Sequence, residues 1–229
     1  MDTRPKNSFL QQEDCFFKLE FTSKQIAAIR TLYAKHIEPA VKNFQYIGYA
    51  IPIKWNSDIE KLTPAYETYN GTYQKTDPMI GYIFNQLQHD LLWLEFDDIR
   101  PYMSRGGSLT IMPPHTVMIP HCDRPSRSCT IFFPISLGDE NCINDFYYLP
   151  KNSDEAKINS THEIHIPAFS YRMMNSAHLM NPHEWHGVRN YSRSTRIVLG
   201  WDCRTGNEQK SFRELVEIFK KLGYIKDVA

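Results

Sequence analysis

The sequence predicts an α+β protein that is mainly β: a double-sheet jelly roll or barrel, with helices before it and one helix after it. Three observations predict this. Between Gly107 and Trp201, eight short runs rich in β-branched and aromatic residues follow one another, with Pro, Gly and Asn between them. Apolar residues recur at helical spacing in two stretches upstream and one downstream. No internal repeat, low-complexity tract or linker interrupts the chain, so its 229 residues read as one domain. Residues 1–104 carry the first helices, a strand and a candidate lid, 105–202 the β core, and 203–229 the last helix.

Over residues 24–38, Ile26, Ile29, Tyr33 and Ile37 recur at helical spacing, and Thr22 with Gln25 makes a capping box. Pro39 should end or kink this helix, because proline lacks the N–H and crowds the preceding turn. The stretch FQYIGYAIPI, 44–53, predicts a strand. Residues 56–77 are polar and predict a surface excursion, in which Tyr66, Tyr69 and Tyr73 are candidate lid residues. Asp77 as cap and Pro78 in the first turn predict a second helix, with Ile80, Ile83, Phe84, Leu87, Leu91 and Leu94 on its apolar face. The eight β runs are SLTIM, TVMIP, CTIFFPI, DFYYL, HEIHI, SYRMM, WHGVRN and RIVLGW. Near 208–222, Phe212, Leu215, Val216, Phe219 and Leu222 predict the closing helix, and Gly223 its stop.

Bulk composition excludes several classes. Hydrophobic residues make up 41% and charged residues 23%, the ordinary globular range. Lysine plus arginine equals aspartate plus glutamate at 26 each, so no overall field draws nucleic acid or an anionic membrane. No apolar run approaches the roughly 20 residues of a membrane span, and the first residues carry no leader-like stretch. Five cysteines, at 15, 122, 129, 142 and 203, lack C-x-x-C spacing and fit thiols in a reducing compartment. The expectation is a soluble cytoplasmic protein, its oligomeric state left open.

Against that background one segment stands out: IPHCDRPSRS, 119–128, with His121 and Asp123 two positions apart. The composition makes about one H-x-[DE] pair expected by chance, and His36-Ile37-Glu38 is a second example. Geometry separates the two. On a helix, residues i and i+2 diverge, so His36 and Glu38 cannot easily grip one ion. Near the end of a strand, i and i+2 project to the same side, so His121 and Asp123 can.

Two ligands hold a labile metal poorly, and the stretch 181–202 offers a third. His186 opens the run WHGVRN, with His183 and His178 as rivals, and RIVLGW follows after NYSRS. A hairpin centred near Ser192 would set His186 opposite Val198, with Arg196 on the same face one or two pleats along. An arginine there suits the far carboxylate of a small ligand whose near end sits on the metal. Two imidazoles and a carboxylate on one face of an ion, with positions left open, match the facial triad of non-heme Fe(II) oxygenases.

The tail H-x-V-x-N-x-S-x-x-x-R-I-x-L, spelled from His186 to Leu199, together with His121-x-Asp123, resembles the signature of the Fe(II)/2-oxoglutarate-dependent dioxygenases. It is most similar to their aspartyl/asparaginyl β-hydroxylase and prolyl hydroxylase branch, over about residues 105–202. The resemblance implies a double-stranded β-helix of cupin-like kind, with Fe(II) bound by His121, Asp123 and His186. It implies 2-oxoglutarate and O2 as cosubstrates, Arg196 on the C5 carboxylate, and ascorbate as an optional accessory. The substrate would be an amino acid or a prolyl- or aspartyl-type residue of a peptide, hydroxylated with release of succinate and CO2.

Two departures matter. Val198 stands where some branches place a serine two residues after the arginine, so Tyr102, Ser108, Thr110 and Thr130 are candidates for the hydroxyl partner. Arg127-Ser128-Cys129 lacks the histidine of an R-x-H motif, and Arg127 is a candidate contact for the C1 carboxylate or substrate. Two other readings stay open: a cupin-like metalloprotein using zinc, manganese or nickel without oxygenase activity, and a non-catalytic jelly-roll module. Arg196 discriminates, since a metal binder without a dicarboxylate cosubstrate has no need of a cation there.

Overall fold

The computed structural model describes residues 10–39, 49–51, 63–64, 80–84, 95–112, 114, 116–121, 128–137, 141–147, 167–203 and 211–226. The described residues are mostly β, in two sheets with a few helices. A short helix α1 (Gln12–Cys15) leads into β1 (Phe16–Leu19), and α2 (Ser23–Leu32) follows. Next come β2 (Tyr49–Ile51), β3 (Thr63–Pro64) and β4 (Ile80–Phe84). Eight strands then run in succession: β5 (Met103–Met112), β6 (Thr116–His121), β7 (Cys129–Leu137), β8 (Cys142–Tyr147), β9 (Phe169–Tyr171), β10 (Ala177–Met180), β11 (Trp185–Asn190) and β12 (Arg196–Cys203). The chain closes with α3 (Phe212–Lys221).

The large sheet has the order β1-β10-β7-β12-β5-β4-β2-β3 and the small one β6-β11-β8-β9. All pairings are antiparallel except β2 with β4. From β5 to β12 the chain alternates between the sheets, with the β8–β9 hairpin as the one consecutive pair in a single sheet. Strand alternation sorts the side chains. Leu199, Trp201 and Cys203 of β12 join Leu109, Ile131, Phe133 and Leu179 under α2 and α3 in the main core. On the other face, Phe16, Phe132 and Met180 meet Phe146, Phe169 and Tyr171 of the small sheet, and Met112 meets Cys142 and Val188. The space between the sheets is therefore lined from both sides; α2 and α3 cover the large sheet's outer face, while Cys15 of α1 packs with Phe16, Phe146 and Met180.

Local signals explain the helices. Thr22 accepts from the Gln25 N–H at 3.2 Å and Gln25 returns to the Thr22 N–H at 2.9 Å, the reciprocal box expected from sequence. Beyond Leu32 the helix widens to a π turn, Tyr33–Ile37, in which the Glu38 N–H reaches the Tyr33 carbonyl. Pro39 supplies the reason: with no N–H and a ring that crowds the turn before it, it disfavours tight α winding there. Ser211 and Glu214 cap α3 in the same reciprocal way, and Gly223, at φ 81°, ends it. Leu222 departs from expectation: it is exposed, and Tyr224 and Ile225 fill the core instead. Among the described residues no helix is long and apolar enough to cross a membrane.

Several expected elements are corrected. The helix expected after Asp77 is strand β4 over Ile80–Phe84, paired with both β2 and β5. Its β-branched and aromatic run satisfies two neighbouring strands, and tertiary pairing overrides the helical spacing of its apolar residues. The remainder of that expected helix, the HEIHI run, and all but Thr63–Pro64 of the 56–77 excursion lie outside the described residues. A strand that sequence reading missed, β10, sits between β1 and β7; Ala177, His178, Leu179 and Met180 carry little β propensity, and burial on both faces holds them extended.

Candidate active site

His186 lies on β11 at the centre of the small sheet, between β6 and β8, and is 7% exposed. Its Nδ1 is 2.8 Å from the Glu184 carbonyl, which can only accept, so Nδ1 carries the proton. In the neutral ring the lone pair is then on Nε2, and the ring orientation is held in the manner typical of a metal-ligating imidazole. The Phe146 ring packs at 6.2 Å between centroids. On the outer face of the same sheet, Arg189 makes two hydrogen bonds to the fully buried carboxylate of Asp145, which also accepts from Ser170. That pair locks β11 to β8 and so fixes where His186 stands.

The β6–β11 ladder pairs His186 with His121. Residues directly opposite on an antiparallel pair are the closest cross-strand neighbours, with Cβ atoms about 4.5–5.5 Å apart. The register thus brings together two sequence-predicted ligands 65 positions apart in the chain. The ladder shifts between His186 and Val188, a bulge beside the site. Asp123, Cys122 and Arg127 lie outside the described residues, and among the described residues no three His, Cys, Asp or Glu side chains gather into a metal cluster.

Arg196 opens β12 and is 3% exposed. Its Nη2 donates to Asn144 Oδ1 at 3.1 Å and its Nη1 lies 3.7 Å from Met112 Sδ. Its Nε and the Nδ2 of Asn144 are buried without a hydrogen-bond partner among the described residues. No carboxylate among the described residues pairs with Arg196, and burial pulls its pKa below the ordinary arginine value. A buried, acid-free guanidinium is costly unless an anion arrives to satisfy it. Along β8, Asn144 is two residues from Phe146, the residue paired with His186. Arg196 therefore engages a position roughly 7 Å along the strand from the His186 level.

The expected β11–β12 hairpin is not formed, so His186 does not face Val198. β11 pairs with β6 and β8 in the small sheet, while β12 pairs with β5 and β7 in the large one. The segment read as a turn is a corner between the sheets, anchored by Asn190 and Ser192 while Tyr191, Arg193 and Ser194 are exposed. Asn190 Nδ2 donates to the carbonyls of Met112 and Ser194, and Ser192 Oγ donates to Asn190 Oδ1 at 2.6 Å. Asn190 and Ser192 are fully buried, so these two side chains tie the corner to the core. Arg196 reaches the neighbourhood of His186 across the gap between sheets rather than along one sheet.

The other candidates are dispersed. Tyr102 sits in the 3₁₀ turn before β5, packed against the helix-side core, at the opposite end of β5 from Met112, the partner of Arg196. Ser108 lies opposite Gly200, where a Cβ would come within 2.6 Å of its hydroxyl, so the glycine makes room for it. Thr110 pairs with Val198, and Thr130 donates to Asp202 at 3.2 Å. His183 is half-buried in a turn. His178 sits on β10 between Phe16 and Tyr171, its pKa pushed down to about 4 by burial.

Sequence reading missed Tyr171. It pairs with Asn144 on the small sheet, stacks on Phe16 at 3.8 Å, and its buried hydroxyl has no hydrogen-bond partner among the described residues. Burial raises its pKa, and the charge of Arg196 opposes that rise, which ties the two groups to one neighbourhood. No motif marks Tyr171; only the β8–β9 register places it.

No protein-family model and no curated protein matches the chain. Solved structures similar to it include a Pseudomonas putida prolyl-4-hydroxylase, at 10% identity over 83% of this chain and 93% of that one, TM-score 0.46. EvdMO1 is 13% identical over 83% of this chain and 47% of its own, TM-score 0.47. SnoK, a non-heme α-ketoglutarate-dependent carbocyclase from nogalamycin biosynthesis, is 10% identical over 90% and 88%, TM-score 0.44. With every one of these TM-scores below 0.5, the functional reading rests on the chain's own residues.

Proposed function

We propose that the chain is an Fe(II)- and 2-oxoglutarate-dependent oxygenase built on a jelly roll, acting as a hydroxylase on an amino acid or a prolyl- or aspartyl-type peptidyl residue. The observation that carries the reading is the pairing of His121 with His186, with a buried Arg196, which no described carboxylate pairs with, about one strand repeat away. The alternation of β5–β12 between two sheets supports the jelly roll. His121 and His186, with Asp123 two residues beyond the end of β6, would hold the metal; imidazole and carboxylate donors suit Fe(II). When bound, iron with 2-oxoglutarate and O2 supplies the oxidising power that a C–H bond requires.

The protein's own residues do the positioning. Glu184 holds the proton on His186 Nδ1, so the neutral ring points its lone pair from Nε2. Arg196 and Asn144 offer N–H donors to the distal carboxylate of the cosubstrate, and Tyr171 adds a hydroxyl that no described residue satisfies. Phe146, Phe16 and Phe169 give the space between the sheets an apolar wall beside these polar groups. The test is succinate release from 2-oxoglutarate by the full chain with Fe(II) in air. The reading expects slow release without added substrate, lost in His186→Ala. Metal binding with no succinate, and 2-oxoglutarate affinity indifferent to Arg196→Ala, would favour the cupin-like alternative.

A further inference from the structure

Three sulfur-bearing side chains stand in one row across the large sheet, on the face turned toward α2 and α3. Cys203, the last residue of β12, is directly opposite Cys129, the first of β7. On its other side it is opposite Met103, the first residue of β5. The β5–β12 register shifts between Trp201 and Cys203, and that shift sets Met103 there; an unbroken register would set Arg105 opposite Cys203. The Cys203 thiol donates to Met103 Sδ at 3.5 Å, and Cys129 is in hydrogen-bond contact with Cys203. Both cysteines are free thiols and fully buried. Met103 is 8% exposed, which puts its end of the row nearest to solvent.

Burial pushes the Cys129 thiol well above its usual range, and the Cys203 contact and the Asp202 carboxylate add to the rise. A thiol held protonated is a poor nucleophile, so the row is not built for thiol–disulfide chemistry. Ligation is the capacity that remains, because a soft metal displaces the thiol proton. Zinc and iron–sulfur clusters want four donors in a tetrahedral set. This row has three donors, all sulfur, and thiolate with thioether selects Cu(I). We propose that Cys129, Cys203 and Met103 bind one Cu(I) ion. The two thiols release their protons to solvent and the copper keeps its oxidation state, so no electron donor or acceptor is needed. The ion enters past Met103, where three strands end and local opening is cheapest. The row faces the helices, across the large sheet from the space that holds His186, so the inference stands apart from the oxygenase reading.

The test is anaerobic titration of the reduced full chain into Cu(I) held by bicinchoninate, whose visible absorbance falls as the protein takes the metal. One Cu(I) per chain should transfer, and the melting temperature should rise, since an ion bound only by the folded state stabilises it. Cys129→Ala and Cys203→Ala should each abolish the transfer, with the unliganded melting temperature as the check on folding. Met103→Leu conserves volume, so it should keep the fold while weakening copper binding about tenfold, the loss of one donor. His186→Ala should take up Cu(I) as the wild type does while losing Fe(II)-dependent 2-oxoglutarate binding, so each reading can fail without the other. Copper that stays with the chelator means packed thiols only and overturns the proposal. Transfer retained by both cysteine variants, or untouched in Met103→Leu, overturns it as well.

Discussion

Arg196 is the residue at which sequence and structure bear on one another most sharply. Its spacing from His186 marks it in the sequence, but the route by which it approaches His186 is not legible there. The sequence is consistent with a hairpin, and only the packed corner of Asn190 and Ser192 sends β12 into the other sheet. Arg196→Ala should weaken 2-oxoglutarate binding by roughly 10- to 100-fold, the worth of a charge-assisted hydrogen bond, measured by titration. Arg196→Lys should fall between, because an ammonium lacks the planar fork. Tyr171→Phe should leave the melting temperature unchanged or slightly higher, since the hydroxyl it removes has no partner among the described residues. If that hydroxyl serves the ligand, the same variant should raise the apparent KM for 2-oxoglutarate several-fold; an unchanged KM would remove Tyr171 from the site.

At the level of elements, what was legible follows local chemistry. The Thr22–Gln25 capping box is written in a four-residue stretch, and the β runs that became β5, β7, β11 and β12 carry β-branched and aromatic residues. What was not legible depends on partners distant in sequence. Ile80–Phe84 is extended because β2 and β5 flank it, and Ala177–Met180 because β1 and β7 do. Ser211→Ala should cost about 1 kcal/mol, the usual worth of an N-cap. For a chain of this size that lowers the melting temperature by roughly 2–4 °C, readable by calorimetry. Ser211→Asp should retain most of the stability, because a carboxylate also accepts from the first turn.

For the molecule as a whole, the space between the sheets sets the pH response and holds the proposed site. His178 is buried neutral there, its pKa pushed down from 6.5 to about 4. A group whose folded pKa lies below its unfolded one binds more protons when unfolded, so stability is full above about pH 6.5 and falls as pH drops toward 4. Over that window the loss attributable to His178 is about 3 kcal/mol, and His178→Leu should flatten it in a urea-denaturation series. The central claim is that His121 and His186, joined across the β6–β11 ladder, bind one ion whose cosubstrate reaches Arg196. Anaerobic titration of the protein with Fe(II) and 2-oxoglutarate, followed by visible absorbance, tests it most directly. The account predicts a charge-transfer band saturating at one iron per chain, absent in His121→Ala and His186→Ala and weakened in Arg196→Ala. A wild-type protein that shows no band, or a band untouched by either histidine substitution, would contradict it.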